Sequence, residues 1–486
     1  MMPVRLLPLR LFLSVAVGFF ALLSLLILPS VRAADPAAGE RAAEVRAVWI
    51  SNAILGRTGG PAGVQQLLDQ LAAANFNVIL PEAVFRGYTL YPGPYQDPRF
   101  AAWPDDPLAV IVREAKARGM EVHPWVWVFA AGLESAPGPI LASHPEWAEC
   151  LSVSRESSSS AAASRTLWLT PSSPEVRRFL RDEFLGILRR YPVDGLHLDY
   201  IRYAETPCGD GVPHASAAAY LEETGIDPRL FIGGEGAGTG RVPAAAAREA
   251  VAWHLWLEGQ VSAFVQDMAA AMRAENPRWV LSAAVTPEVR EARYLRRQDW
   301  EHWLRNGWLD YAFPMAYSSN LGLLQTMVAS WESLGSLQSR LVPGLLVSAN
   351  DLPALLAQIE HVRAGPTAGV ALFSADYLLA AHVEALGSGA FSRAVPVPFR
   401  DADGTALRPP TPGAFLPPTD PPVFIPIPSY DEGPRPNLAA AARVTVDSSF
   451  RGYGPAPLND GRRNDEVEIG RWAEVAWASA ETPEDH

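Results

Sequence analysis

The sequence contains only two cysteines among its 486 residues, Cys150 and Cys208. Their number and spacing exclude a zinc site of the Cys-x-x-Cys type. An even count permits one disulfide in an oxidising compartment. Both cysteines fall in predicted loops on either side of the apolar segment that begins at Val193, which makes pairing geometrically possible. Two free thiols are the alternative.

Basic residues are outnumbered by acidic ones: the sequence has 40 Lys and Arg and 53 Asp and Glu, which gives a net charge of −13. Phosphate binding needs a basic face, so we expect no nucleic acid partner. The chain has no G-x-S-x-G elbow and no paired Cys/His signature. The glycine-rich piece GGEGAGTG has no preceding strand and no closing Lys-Ser/Thr, so it is not a phosphate loop. His123 and His197 lack a regular ligand grouping, and we predict neither a metal nor another cofactor.

The N-terminal residues indicate where the protein is sent. Arg5 and Arg10 precede an apolar run over residues 11–28, which is followed by the small-residue sequence Val31-Arg32-Ala33-Ala34. This layout predicts a secretory signal over residues 1–33 and a secreted or cell-envelope location. The run is long for a signal, so retention as an N-terminal anchor is the alternative, and membrane contact is expected only in that case.

Eight apolar segments alternate with helical patterns between residues 44 and 392. Such alternation predicts parallel pairing. Eight regular units favour a closed (β/α)8 barrel of the TIM type over a doubly wound open sheet, and they place the active site at the carboxyl ends of the strands. The predicted strands are residues 44–51, 76–84, 120–129, 193–203, 279–285, 309–317, 341–348 and 369–374.

The ends of these strands combine carboxylates with aromatic rings, amides and guanidinium groups. This mixture suits sugars, whose C–H faces stack on rings while their hydroxyls form hydrogen bonds. Any single Trp among them is also consistent with a core position. The candidate substrate-binding residues are Asn52, Glu82, Arg86, His123, Trp125, Trp127, His197, Tyr200, Arg202, Tyr203, Tyr317 and Asp376.

The fourth predicted strand, VDGLHLDYIRY, carries the densest set of these residues. Side chains alternate along a strand, so Leu196 and Leu198 are predicted to face away from His197 and Asp199. His197 either orients Asp199 or a substrate hydroxyl, or is a hydrogen-bonded histidine inside the barrel. We expect Arg202 to lower the pKa of Asp199 and keep it ionised.

Taken together, the chain resembles the bacterial family-10-like glycosyl hydrolases, a group of glycosyl-hydrolase-like barrels distinct from the xylanases. The resemblance covers nearly the whole predicted barrel. It implies a TIM-type barrel in an exported protein that acts on a cell-wall or extracellular polysaccharide. The matching motifs, in order, are EVRAVWIS, RGYTLYPG, EVHPWVWVF, HPEW, SPEVRRFLRDEFLGILRRYPVDGLHLDYIRY, LDYAFPMAY and GVALFSADYL.

Glycoside hydrolysis needs two carboxyl groups, one to protonate the leaving oxygen and one to attack or to activate water. In barrels of similar type the Asp at the end of the fourth strand is the nucleophile, which the resemblance assigns to Asp199. We predict Glu288 as its partner, because an acid of the fifth strand lies beside the fourth. Glu82 is the second choice and Asp299 a third.

Each candidate acid has a structural alternative: Glu288 could be a surface acid in a loop, and Glu82 could form a structural pair with Arg86. Other subfamilies carry further acids after the fourth-strand Asp, where this chain has Tyr200. The alternative to a hydrolase is therefore an inactive glycan-binding barrel that acts as a binding or scaffold protein.

The composition changes after the predicted barrel. Residues 395–436 are crowded with proline, which favours an extended spacer. Residues 437–486 resemble the opening of a discoidin-type, galactose-binding-like β-sandwich. A partial sandwich leaves strand edges open, so we expect this segment either to be truncated or to fold poorly alone.

Overall fold

The computed structural model describes residues 41–150, 165–204, 208, 212–232, 247–347 and 352–408. The predicted signal segment and the predicted β-sandwich module lie outside these residues. The strands are β1 Val45–Ile50, β2 Val78–Phe85, β3 Tyr88–Thr89, β4 Glu121–Val122, β5 Trp125–Trp127, β6 Ala130–Leu133, β7 Thr166–Trp168, β8 Gly195–Asp199, β9 Val280–Val285, β10 Tyr311–Pro314, β11 Gly344–Leu346 and β12 Gly369–Phe373.

Helices follow most of the strands along the chain. None of the helices in the described ranges is long and apolar enough to cross a membrane. The α-helices are Asn52–Thr58, Pro61–Ala73, Pro98–Ala101, Pro107–Ala117, Gly138–Ser143, Pro174–Arg190, His214–Thr224, Arg229–Ile232, Ala247–Glu275, Val289–Arg296, Trp300–Arg305, Leu321–Ser330, Leu352–Ala364 and Ala380–Ser388, and the 3-10 turns are Pro145–Trp147, Trp331–Arg340 and Ala375–Tyr377.

The strands form a parallel barrel with helices around it. Going round the wall, the neighbours are β10, β9, β8, β5, β2, β1, β12 and β11. Parallel bridges from Ala312 to Leu341 and from Met315 to Gly344 join β10 to β11 and complete the circle. The predicted (β/α)8 fold is therefore confirmed.

The third and fourth strands differ from the predictions in ways that affect the site. The third is divided at Pro124 into β4 and β5; proline has no N–H to donate to a ladder, and β4 and β5 pair with β2 as separate segments. The fourth strand ends at Asp199, because Tyr200 has a φ of 51° and turns the chain out of the extended conformation.

Side chains of alternating residues fill two separate apolar regions. Trp49, Trp125 and Phe313 belong to the cluster inside the barrel, whereas Leu196 and Leu198 pack between the barrel and its helices. The alternation predicted for the fourth strand is thus observed, and it points His197 and Asp199 toward the barrel axis.

The amino-terminal end of the barrel is closed by a segment that follows the last helix. Phe399 is fully buried, with its ring 5.2 Å from that of His123 and 4.6 Å from that of Tyr311. Tyr311 Oη donates to the Pro398 carbonyl over 2.8 Å, and Arg400 pairs with Glu121. The barrel unit therefore continues past residue 392, and residues 396–408 pack against it although the sequence places them in the predicted linker.

We expect Phe399→Ala to lower the free energy of unfolding by about 3 kcal/mol, because it removes a fully buried ring from the barrel end. Guanidinium denaturation followed by circular dichroism measures the change. Leu230→Ala is the control, since Leu230 is 82% exposed and its loss should change stability little. A loss below about 1 kcal/mol for Phe399→Ala would mean that the segment contributes little to the fold.

The two cysteines form a disulfide, with their Cα atoms 5.1 Å apart. The bond joins the segment after the Pro145–Trp147 turn to Cys208, which follows β8. The paired alternative from the sequence is therefore the one observed. The disulfide crosslinks two segments near the carboxyl-terminal mouth of the barrel.

Candidate active site

Asp199 is held at the mouth of the barrel by donors to both of its oxygens. Trp125 Nε1 donates to Oδ2 over 3.0 Å. The backbone N–H of Tyr200 donates to Oδ1 over 2.6 Å, and Arg202 Nη1 donates to the same oxygen over 3.3 Å. The left-handed conformation of Tyr200 accompanies this backbone contact. The carboxylate is thus fixed in one orientation, and only 6% of the residue is exposed.

Burial and charge act in opposite directions on Asp199. Burial raises its pKa, while the Arg202 guanidinium lowers it, followed by the Tyr200 N–H and the Trp125 indole. Arg202 acts in the expected direction, but burial is the largest influence and the pKa of Asp199 is raised overall. The three donors favour the ionised form at a place where water cannot do so.

Glu82 lies on β2 and faces the same interior. It is 3% exposed, and its Oε2 accepts the backbone N–H of Asn52 over 2.8 Å. Burial raises the pKa of Glu82 to about 8, and the negative charges of Asp199 and Asp376 act in the same direction. The Glu82 carboxyl group is therefore protonated at neutral pH, and the charge of Asp199 favours this state.

The strand register explains why these two acids face the same part of the barrel interior. Strand β5 pairs with β2 on one side and β8 on the other. Trp125 on β5 is opposite Glu82 in the first ladder and opposite His197 in the second. Neighbouring strands are about 4.8 Å apart, so β2 and β8 are separated by about 10 Å and their inward side chains converge on the axis.

The acid predicted first as the partner of Asp199, Glu288, has a different position. Its carboxylate caps the helix Val289–Arg296, with Oε1 accepting the N–H of Arg290 over 3.1 Å and Oε2 that of Glu291 over 2.6 Å. The fifth strand ends at Val285, and the chain has left the barrel wall before it reaches Glu288. Within the described ranges, no hydrogen bond or ion pair joins Glu288 to Asp199. Glu82 is instead the acid whose pKa is raised by the charge of Asp199.

Asp299, the third choice, is also a helix cap. Its side chain accepts the N–H of His302 over 3.3 Å at the start of the helix Trp300–Arg305, and it lies 3.5 Å from Arg293. It belongs to a buried cluster with Glu258 in the helical layer. Its surroundings are therefore those of a structural acid.

A row of aromatic rings crosses the mouth next to the two acids. The ring centroids of Phe85 and Trp127 are 4.7 Å apart, those of Trp127 and Tyr200 are 4.0 Å apart, and those of Tyr200 and Trp168 are 5.7 Å apart. All four residues are partly exposed. The Arg86 guanidinium lies over Phe85 at 4.7 Å rather than forming the alternative pair with Glu82. Such a row offers apolar faces and edges to a sugar.

The opposite side of the mouth is tied together by Asp376. This carboxylate accepts from Ser51 Oγ over 2.8 Å, from Ser374 Oγ over 2.7 Å and from Arg57 over 3.1 Å. It thereby joins the ends of the first and last strands. Its charge contributes to the raised pKa of Glu82, so it belongs to the same mouth.

Tyr317 completes the rim after the sixth strand. Its ring stacks on Phe373 with centroids 5.1 Å apart. Burial raises the pKa of Tyr317 well above its usual range, and the next largest influence is the charge of Asp199. The Tyr317 hydroxyl therefore stays protonated and is available as a donor close to Asp199.

One buried polar side chain at the mouth has no hydrogen-bond partner among the described residues. It is the side-chain amide of Asn52, and this residue is 2% exposed. A buried polar atom without a hydrogen bond lowers the stability of the fold. A bound ligand that supplies the missing hydrogen bond would explain why such a group is kept at this place. The Asn52 backbone already bonds to Glu82, so its amide stands next to that acid.

Three predicted site residues lie elsewhere. His123 is at the amino-terminal end, where its Nε2 is 3.2 Å from Glu121 Oε2, because it precedes the break in the third strand. His197 is the barrel-interior histidine of the second alternative: Nε2 accepts from Trp49 over 3.2 Å and Nδ1 meets Ser282 over 2.9 Å. Burial lowers the pKa of His197 well below its usual range, so it is neutral.

Tyr203 also points away from the two acids. Its hydroxyl lies 3.0 Å from Ser216 Oγ, and it is buried beyond the turn that follows β8. The sequence predicted the strand to continue to residue 203, which would have placed Tyr203 on the same face as Asp199. The turn at Tyr200 changes that alternation.

The sequence prediction missed Trp168, which extends the aromatic row. It is the last residue of β7, and β7 pairs antiparallel with β6 in a two-stranded sheet inserted after the third strand. The available signal was the alternation in Thr166-Leu167-Trp168-Leu169, which is typical of a strand. In the described part of the chain, no group of three or more His, Cys, Asp or Glu side chains could hold a metal ion.

A parallel eight-stranded barrel with two buried carboxylates and aromatic rings at its carboxyl-terminal mouth has the architecture of a glycoside-hydrolase-type protein. The sequence model of Glycosyl hydrolase-like 10 matches residues 44–342, and the chain belongs to this family.

The chain is similar to two curated relatives over part of their lengths. It is 26% identical over 161 residues to the glycosyl hydrolase DigH of Escherichia coli strain K12, a match covering 29% of this chain and 34% of DigH. It is 23% identical over 211 residues to the glycosyl hydrolase YngK of Bacillus subtilis strain 168, covering 38% of each. The matched region is thus little more than a third of either relative.

Among solved structures, the glycoside hydrolase domain of PgaB (BpsB) from Bordetella bronchiseptica aligns with a TM-score of 0.48 and 15% identity over 71% of this chain and 98% of that domain. The GH36 alpha-galactosidase AgaA from Geobacillus stearothermophilus aligns with a TM-score of 0.41 and 12% identity over 72% of this chain and 41% of that enzyme. The barrel assignment rests on the strand pairing described above.

Proposed function

We propose that this protein is an exported glycoside hydrolase that cleaves O-glycosidic bonds in a bacterial cell-wall or extracellular polysaccharide, using Asp199 and Glu82. One observation carries the proposal: two buried carboxyl groups face the same mouth, and the charge of Asp199 helps to raise the pKa of Glu82 to about 8. Acid/base catalysis by two carboxyl groups requires one to be protonated and the other ionised, so their surroundings must shift their pKa values apart. The apolar run over residues 11–28 supports export.

Glu82 is the general acid in this mechanism. Its Oε2 accepts the Asn52 N–H, and the protonated carboxyl group carries the proton toward the glycosidic oxygen. As the bond between the anomeric carbon and that oxygen breaks, the leaving sugar keeps the bonding electrons and takes the proton. Glu82 is left as a carboxylate, able to accept a proton from the incoming water.

Asp199 acts at the anomeric carbon, where positive charge develops. Its three donors favour the ionised form against the effect of burial and fix its orientation, so the carboxylate can attack that carbon or, in an inverting reaction, activate the attacking water. Attack gives a glycosyl ester that water then hydrolyses, whereas activated water gives the product in one displacement. Binding by the Asn52 amide and the aromatic row would align the sugar for either course.

The rate should fall as pH rises through about 8, because Glu82 must be protonated to act and its pKa is raised to about 8. On the acid side the rate should fall as Asp199 becomes protonated. A pH profile of kcat/KM measures both limbs. Asp299→Asn is the matched control: burial raises the pKa of Asp299 to about 7, yet it caps a helix, so its loss should leave the alkaline limb unchanged. If the alkaline limb disappeared in Asp299→Asn, the limb would reflect the titration of Asp299 rather than that of Glu82.

Reducing-end release tests the proposed activity. The full chain is incubated with denuded peptidoglycan strands and with bacterial exopolysaccharides, and glycan binding is measured in parallel. We expect new reducing ends from at least one of these polymers. Binding without release by the wild type would favour the alternative, a glycan-binding barrel, and would overturn the enzyme proposal.

A further inference from the structure

A cavity lies between the two-stranded sheet β6–β7 and the segment after β8, and it is linked to Asp199 through Arg202. Its volume is about 230 Å³, several times the roughly 30 Å³ that a water molecule occupies. The disulfide forms part of its wall. The lining residues that matter here are Glu134, Glu149, Arg165, Trp168, Arg202 and the Cys150–Cys208 bridge.

Two residues connect this cavity to the two acids. Arg202 donates to Asp199 Oδ1 and also lines the cavity. Trp168 lines it too, and the Trp168 ring lies 5.7 Å from that of Tyr200 at the end of the aromatic row. A chain bound along the aromatic row would therefore meet the cavity next to Asp199.

The charges that line the cavity are already paired. Arg165 donates to Glu134 over 2.8 Å, and Arg202 is paired with Asp199. Glu149 accepts from the backbone N–H and the hydroxyl of Ser216, each over 3.0 Å. An anionic ligand would need a guanidinium without a carboxylate partner, so this lining fits an uncharged one.

The remaining surface suits a sugar ring. Trp168 contributes a partly exposed indole, and Leu167 and Pro171 add apolar surface beside polar groups that can meet hydroxyls. An apolar face with a few fixed polar groups is the usual composition of a carbohydrate subsite.

We propose that this cavity binds an uncharged sugar unit of the substrate chain beyond the two units that flank the cleaved bond, so that the polysaccharide is held across the barrel mouth. This inference rests on the proposed function. The Cys150–Cys208 bridge keeps the cavity open by fixing the segment after β8 against the segment that carries Glu149.

The test compares substrate lengths. Oligosaccharides of two to six units are used in three series: N-acetylglucosamine, glucose and galacturonate. The Asp199→Asn protein reports binding without turnover, and the active protein reports kcat/KM. We expect the affinity for at least one uncharged series to rise with length, and galacturonate to bind more weakly than that series.

Trp168→Ala, made in both backgrounds, should lower affinity and kcat/KM for the hexasaccharide by about tenfold and leave the disaccharide nearly unchanged, because only the longer chain reaches the ring. Trp168→Phe should restore most of the loss. Cys150→Ser with Cys208→Ser should act in the same direction as Trp168→Ala. Trp256→Ala is the control, since Trp256 is on an outer helix beside Glu223.

Each other outcome identifies which idea is wrong. The subsite would be overturned if Trp168→Ala lowered affinity and kcat/KM equally for short and long chains, or did not lower them at all. It would also be overturned if neither uncharged series bound, or if galacturonate bound more tightly. Length-dependent binding that needs Trp168, with no hydrolysis of any substrate by the wild type, would support the subsite as a binding site and overturn the proposed activity. Circular dichroism spectra confirm that each variant is folded.

Discussion

We expect Asp199→Asn to abolish hydrolysis while glycan binding persists. We expect kcat/KM to fall by about 10⁴-fold or more, the scale seen when a nucleophile or its essential partner is removed. Asparagine keeps the shape of the side chain but has no charge to offer the anomeric carbon. The affinity for a hexasaccharide should stay within about threefold, because the aromatic row and Asn52 are untouched. Reducing-end release and calorimetric binding measure the two effects.

A second buried aspartate provides the control for this loss. Asp310 is 1% exposed and accepts the N–H of Leu281 over 2.8 Å at the amino-terminal side of the barrel. Asp310→Asn also replaces a buried carboxylate by an amide, so it should lower stability but leave kcat near the wild-type value. If Asp199→Asn retained more than about a tenth of the activity, the reaction would not depend on this carboxylate.

The fold was predictable because its signals are local and repeated. Each barrel strand is an apolar, β-branched or aromatic segment, and Asp199 was located by simple alternation from Leu196 and Leu198. The same reasoning failed at His123, since nothing in Glu121-Val122-His123 tells whether it begins or ends its strand. The break at Pro124 decides that, and it puts His123 at the far end.

The second acid could not be chosen from the sequence for a related reason. Strand order says which strands are neighbours, and it correctly places the fifth beside the fourth. It does not say where the chain goes after a strand ends, and Pro287 with the helix that follows takes Glu288 away from the mouth. Glu82 is inside β2 itself, so the wall fixes its direction. The position of Trp168 depends on an inserted two-stranded sheet, a pairing that no strand periodicity of the barrel predicts.

The paired variants Glu82→Gln and Glu288→Gln decide which acid acts. Glu82→Gln should lower kcat/KM on natural glycans by about 10²- to 10⁴-fold, because glutamine cannot give up a proton to the leaving oxygen. Glu288→Gln should leave kcat/KM within about threefold and lower the free energy of unfolding by about 1 kcal/mol, the scale of a weakened helix cap. Steady-state kinetics and denaturation measure both variants under the same conditions.

The choice of leaving group then separates an acid from a binding residue. An aryl glycoside with a strongly acidic phenol leaves without protonation, so the deficit of Glu82→Gln should shrink on that substrate, whereas the deficit of Asp199→Asn should persist on both. The alkaline limb near pH 8 should also vanish in Glu82→Gln, because its pKa is the one raised to about 8. If Glu82→Gln instead lost the same factor on both leaving groups, Glu82 would position the sugar rather than protonate it. A large loss of kcat/KM confined to Glu288→Gln would identify Glu288 as the general acid.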